Sequence, residues 1–365
     1  MMQRKGVRTW IAAAGVAGLM GVAVSGTAHA DGIGRFAEHD LVSDVAGRAD
    51  VQDTDLVNAW GMAQGPTSPV WVAANHTNVA TLYTGDGVTG PPTKVPLVVS
   101  VPGDGVTGQV FNPTAGFVVD DGAGHSGAAL FLFDSESGDV TGWSPGVPPP
   151  PPSTQAQPAA HVDGAVFKGL AMATTQSGKD RLYAADFHHG TIQVFDNTFK
   201  HLDLDGAFVD RQLPDGYAPF NVAAIGGNLY VAYAKQDSAK VDEVAGAGKG
   251  FVDIYDPAGH LLRRLISHGA LNAPWGMTIA PDGFGDLGGA LLVGNFGDGR
   301  INAYNATTGK FLGTLRKRNG HAVQIDGLWA LMFGNGTTAD TNTLLFSAGP
   351  ANETHGLFGA ITTTP

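Results

Sequence analysis

Short apolar stretches, separated by turns rich in Gly, Pro and Asp, return along this chain at intervals of 51 to 55 residues. They open at Trp60, Thr114, Gly169, Phe220, Trp275 and Leu328. Inside each interval, branched or aromatic residues alternate with small or polar ones, the period of two that a β-strand imposes. Gly190-Thr-Ile-Gln-Val-Phe-Asp196 becomes Gly250-Phe-Val-Asp-Ile-Tyr-Asp256 and then Gly299-Arg-Ile-Asn-Ala-Tyr-Asn305. A second set aligns Trp71-Val-Ala-Ala-Asn75, Leu182-Tyr-Ala-Ala-Asp186 and Leu291-Leu-Val-Gly-Asn295. A third contains Trp-Gly-Met twice, at Trp60 and at Trp275.

A strand-rich repeat of this length is one blade of a β-propeller. The pattern therefore predicts an all-β, six-bladed propeller with four strands to a blade. The sixth repeat runs out of chain after its third strand, so Phe36–Leu41 is expected to return as the missing outer strand and close the last blade. No linker divides the repeats, and residues 31–365 read as a single domain. One stretch breaks the rhythm. Five consecutive prolines within 145–158 favour a polyproline II rod in a protruding surface loop. Gly103–Gln109 and Gln236–Gly250 also read as loops.

Residues 1–30 fit a cleavable signal peptide. Arg4, Lys5 and Arg8 precede an apolar run, which ends in the small-x-small site Ala28-His29-Ala30. A secreted or periplasmic location is expected. Removing that segment takes the formal charge from −12 to −15, because it carries those three basic residues and no acidic one. So acidic a surface argues against nucleic acid or anionic lipid as partner. Cysteine is absent, which excludes a thiol nucleophile, and no later stretch has the length of a membrane span. A monomer is expected.

The chain resembles a family of secreted bacterial β-propellers related to the NHL-repeat group. The matching segments include Asp55-Leu-Val-Asn-Ala-Trp-Gly-Met62, Gly108-Gln-Val-Phe-Asn112, Phe167-Lys-Gly-Leu170 and Tyr217-Ala-Pro-Phe-Asn221. The resemblance implies a fold and assigns no activity.

In a propeller, the loops entering the first strands and leaving the second strands crowd one rim, where function usually sits. Asn58, Asn112, Lys168, Asn221, Asn272 and Asp326 map there as candidate ligand-binding residues. Asn75, Asp186, Asn221 and Asn295 are candidate metal ligands, since converging amides and carboxylates suit Ca²⁺. The same residue types cap turns wherever a strand ends. Six-bladed calcium lactonases of the gluconolactonase type place a Glu among their ligands. Here Glu38, Glu136, Glu243 and Glu353 fall in turns, loops or the closing strand. Trp60, Trp275 and Trp329 offer either blade packing or a stacking platform for a sugar. Two functions stay open: a binding scaffold for a small molecule, glycan or protein, and a calcium-assisted hydrolase at the channel mouth.

Overall fold

The computed structural model describes residues 33–364, and the segment read as a signal peptide lies outside them. Strands make up nearly all of the regular structure, with one turn of 3-10 helix at Gly285–Leu287. Among the described residues no helix is long and apolar enough to cross a membrane.

Four four-stranded antiparallel sheets follow one another along the chain. The first runs Ala59–Ala63, Val70–Ala74, Val79–Thr84 and Thr93–Ser100; the second Val106–Phe111, Phe131–Ser135, Asp139–Trp143 and Gln157–His161. The third comprises Phe167–Thr174, Asp180–Asp186, Thr191–Asp196 and a two-residue outer strand, His201–Leu202. The fourth comprises Tyr217–Ile225, Asn228–Lys235, Phe251–Tyr255 and Leu261–Ser267. Apart from one short hairpin, the remaining strands join one longer sheet. One half of it holds Pro274–Ile279, Ala290–Asn295, Ile301–Asn305 and Phe311–Lys317. The other holds Leu328–Phe333, Leu344–Ala348 and Leu357–Thr363, with Ile33–Ser43 as its outer strand. That N-terminal strand pairs antiparallel with Leu357–Thr363 from Phe36↔Thr363 to Ser43↔Leu357, as the sixth repeat requires. A short parallel pairing with Phe311–Lys317 fuses the two halves.

Packing follows the alternation. Apolar faces of successive sheets bury against each other, as Trp71, Phe131, Phe133 and Trp143 do between the first and second. The paired Trp-Gly-Met segments have a steric cause. A Cβ on Gly61 would come within 2.3 Å of the Thr107 carbonyl, and one on Gly276 within 2.6 Å of the Trp329 carbonyl. Neighbouring first strands approach so closely there that only glycine fits.

Two expectations change. The second sheet's first strand is Val106–Phe111, not a strand opening at Thr114. Thr114 instead sits in a turn where its N–H and hydroxyl both donate to Asn112 Oδ1, and a separate hairpin, Val118–Asp120 with Ser126–Ala128, follows. The proline run is no rod. The Ser153 N–H donates to the Pro145 carbonyl at 2.8 Å, and Trp143 Nε1 donates to the Ser153 carbonyl, so the segment returns on itself as a pinned loop. An extended rod from Pro145 to Ser153 would hold its ends roughly 25 Å apart.

Candidate functional site

Each first strand begins at one end of the channel, the entry rim, and runs toward the other. At the rim, Lys168 is the organising side chain. It stands one residue into its strand, is 1% exposed, and its Nζ lies 5.3 Å from the centre of the Trp60 ring. The ammonium donates to Glu136 Oε1 at 2.5 Å and to Asp242 Oδ1 at 3.4 Å. Glu136 Oε2 accepts from Asn75 Nδ2 (3.1 Å), and Asn75 Oδ1 from Asn58 Nδ2 (3.2 Å). Asn58 Nδ2 also reaches Glu353 Oε2 at 2.7 Å, while its Oδ1 accepts from Trp329 Nε1. Residues from the first four sheets and from the loop after Leu344–Ala348 thus meet in one network.

Its charges shape one another. Burial alone would lower the Lys168 pKa. The charge of Glu136 and its hydrogen bond, with the charges of Asp242 and Glu243, outweigh burial and raise it, so the side chain is a firm cation. Burial pushes the Glu243 carboxyl up to about 7 against the pull of Lys168. Glu353 is raised too, first by burial and then by the charge of Glu136, although Asn58, Lys168 and His76 pull the other way. A protonated, salt-bridged lysine is a poor nucleophile; the arrangement is an ionic clasp among sheets.

Below the clasp lies an aromatic layer. Trp60 stacks on Trp329 with centroids 3.6 Å apart, and Phe296 stacks on the same indole at 4.0 Å. Trp275 and Phe220 approach Trp329 edgewise or tilted at 5.9 and 5.8 Å. Trp275 Nε1 donates to the Lys168 carbonyl at 2.7 Å. Trp60, Trp275 and Trp329 are at most 5% exposed, so they form a plug and present no stacking platform for a sugar.

Beyond the plug the channel opens into a cavity of about 500 Å³. Every first strand contributes to its wall, through Met62, Gln109, Met172, Asn221, Met277 and Met332 among others. Pro113, Thr174 and Ala224 at its mouth are exposed to solvent.

The residues singled out from the sequence divide accordingly. Asn58, Asn75 and Lys168 come together in the clasp. Asn221 lies in the cavity wall, its Nδ2 donating to the Trp275 carbonyl at 2.7 Å. Asn112 follows its strand instead of preceding it and bonds the Gly116 and Ala129 carbonyls, so it stands at the opposite end from Asn58. Asp186 is spent on His189 (2.7 Å) and Gln193 (2.9 Å). Asn295 donates to the Ala270 carbonyl and to Asp298 and accepts from the Asn272 N–H; Asn272 in turn accepts from the Gly246 N–H. Asp326 is exposed and caps the Ala351 N–H. Asn75, Asp186, Asn221 and Asn295 therefore turn to four separate local networks. Among the described residues no group of three or more His, Asp or Glu side chains is arranged to hold a metal ion. The residues do not fit calcium: where carboxylates do gather, the Lys168 ammonium already lies among them.

Sequence reasoning set aside Glu136, Asp242, Glu243 and Glu353 as loop residues, yet they supply the acidic side of the clasp. A signal existed for one of them. Glu136 follows Phe131–Ser135 just as Asn75 follows Val70–Ala74, once the second strands are aligned from their ends.

No family model matches the sequence. Proteins of Acanthamoeba polyphaga mimivirus do, two of them over most of this chain. Uncharacterized protein R648 is 35% identical over 330 residues, spanning 88% of this chain and 78% of its own. Uncharacterized protein L690 is 32% identical over 319 residues, with 85% and 81% covered. This chain belongs to their family. Both of these relatives are viral, and neither supports the bacterial origin expected from the sequence. In fold, the soluble aldose sugar dehydrogenase of Escherichia coli in the apo-form is similar, with a TM-score of 0.53 at 11% identity over 90% of this chain and 100% of that one. A glucose dehydrogenase matches with the same score and identity over 90% and 99%. At that identity the likeness concerns the propeller-like all-β fold alone.

Proposed function

We propose that this chain is an exported six-bladed propeller, of the NHL-related kind, that serves as a binding scaffold and holds a small molecule in the open half of its channel. The two halves of the long sheet are read as the fifth and sixth blades. The observation that carries the proposal is the cavity of about 500 Å³, walled by the first strand of every blade and floored by the tryptophan plug. Its volume is that of a ligand site, and a wall shared by all blades is already shaped before a ligand arrives. The leader-like segment at residues 1–30 supports secretion or periplasmic residence.

The test fills the cavity. Ala223 is partly buried in the wall, so Ala223→Trp should abolish ligand-induced thermal shifts across a small-molecule panel while leaving the unliganded melt near the parent's. Shifts that survive the substitution would place binding elsewhere.

A second reading, a hydrolase at the entry rim working through these carboxyls without calcium, draws support from the raised carboxyls of Glu243 and Glu353 beside Glu136, since general acids and bases work best near neutral pKa. A lactone and ester panel on the parent and on Glu243→Gln tests it. No turnover by the parent, or turnover unchanged in the variant, would remove it.

A further inference from the structure

Resting on the binding-scaffold reading, we infer that the cavity takes an uncharged, lipophilic molecule carrying no more than one or two polar groups. Charge is the first argument. No Asp, Glu, His, Lys or Arg lines the wall, although the entry rim of the same channel is crowded with them. An ion held there would lose its hydration without gaining a partner, at a cost of many kcal/mol.

Hydrogen bonding is the second. The polar side chains of the wall have already committed their donors to the protein. Gln64 Nε2 donates to the Phe333 carbonyl at 2.6 Å, and Gln109 Nε2 to the Gly61 and Trp71 carbonyls at 2.7 and 2.6 Å. Asn221 is bound to the Trp275 carbonyl, Thr114 to Asn112 and Thr174 to Asp180. Those bonds also fix each amide, because a flip would set oxygen against carbonyl oxygen. A sugar, with a hydroxyl on nearly every carbon, would leave most of them unpaired. What the wall does offer is two amide oxygens without a partner, Gln64 Oε1 and Gln109 Oε1, together with backbone. First strands such as Ala59–Ala63 and Val106–Phe111 pair on one edge only, which leaves inner-edge N–H and C=O groups for an occasional polar atom.

The third argument is the choice of apolar residue. The sequence has seven methionines, three of them within residues 1–20. The other four, Met62, Met172, Met277 and Met332, all line this cavity. An unbranched, polarisable side chain lets a wall adapt to apolar shapes, whereas Leu or Ile would fix one. The exposed mouth at Pro113, Thr174 and Ala224 gives such a ligand a way in.

The experiment uses the neutral fluorophore N-phenyl-1-naphthylamine with the whole purified protein. Its emission should rise saturably and be displaced by decanol, but not by decanoate, glucose or gluconolactone at the same concentration. Met172→Glu should weaken probe binding at least tenfold, and Met172→Leu should change it less than threefold, with both variants folded by circular dichroism. Displacement by decanoate or a sugar as effective as that by decanol overturns the ligand class and leaves the scaffold standing. Probe binding unaffected by Ala223→Trp, or no binding of any panel member, overturns the scaffold reading itself.

Discussion

The two ends of the channel are made by the same strands a few residues apart, yet they follow opposite chemical rules. At the entry rim, Lys168, Glu136, Asp242, Asn58, Asn75 and Glu353 bond to one another. At the other end the wall is neutral, rich in methionine, and the donors of its side-chain amides are spent on the protein. A self-satisfied polar cluster is a joint. A cavity whose wall has no charge is the part that the proposed scaffold would use to hold its ligand. The difference teaches that the concentration of titratable groups, usually the first guide to a site, here marks the part that holds the blades together.

The aromatic layer separates the two regions, so its loss should have the largest effect. Trp329→Ala removes the stack on Trp60 and Phe296 and the bond to Asn58. A cost of about 4–5 kcal/mol is expected, read by denaturant unfolding. Breaking the clasp comes next. Lys168→Met strands Glu136 without its cation and should cost about 3–4 kcal/mol; adding Glu136→Gln should recover about half of that, and no recovery would mean the pair is not coupled. Gly276→Ala, which drives a methyl onto the Trp329 carbonyl, should cost about 2 kcal/mol.

The smallest effect is one of pH. Glu243 and Asp134 are both pushed up to about 7, Asp134 by complete burial against the hydrogen bonds of Thr107 and Gly108. Their folded pKa values lie above the unfolded ones, so the folded state holds these protons longer. Stability from them is full below the ordinary carboxylate range and falls as pH rises to about 7. The melting temperature should therefore be several degrees higher at pH 5.5 than at pH 8, at about 2–4 °C per kcal/mol. Asp134→Asn should flatten part of that slope, and a melt that rises with pH would show that other groups dominate.

Strand content and most strand positions were legible because the period of two and the turn residues repeat locally. The Trp-Gly-Met segments, the return of Phe36–Leu41 beside the last strand and the choice of Asn58, Asn75 and Lys168 all came from that pattern. What escaped depends on loops. Nothing local says that the turn bearing Glu136, the 236–250 loop and the loop bearing Glu353 curl toward one lysine. Asn112 went astray for a different reason: the glycines before Val106 and at Gly108 disguised a strand as a loop, which moved its end to the wrong side. Asp186 and Asn295 carry the residue type of a ligand, but a turn beside each claims the same oxygens.

The pairing of Ile33–Ser43 with Leu357–Thr363 joins the first described strand to the last. During synthesis the earlier partner emerges hundreds of residues before the later one, and it must wait with an apolar residue such as Phe36 uncovered. The long sheet cannot be completed until Leu357–Thr363 has been made. A product cut off before Leu357 would thus carry an open edge along Ile33–Ser43, free to pair with another chain.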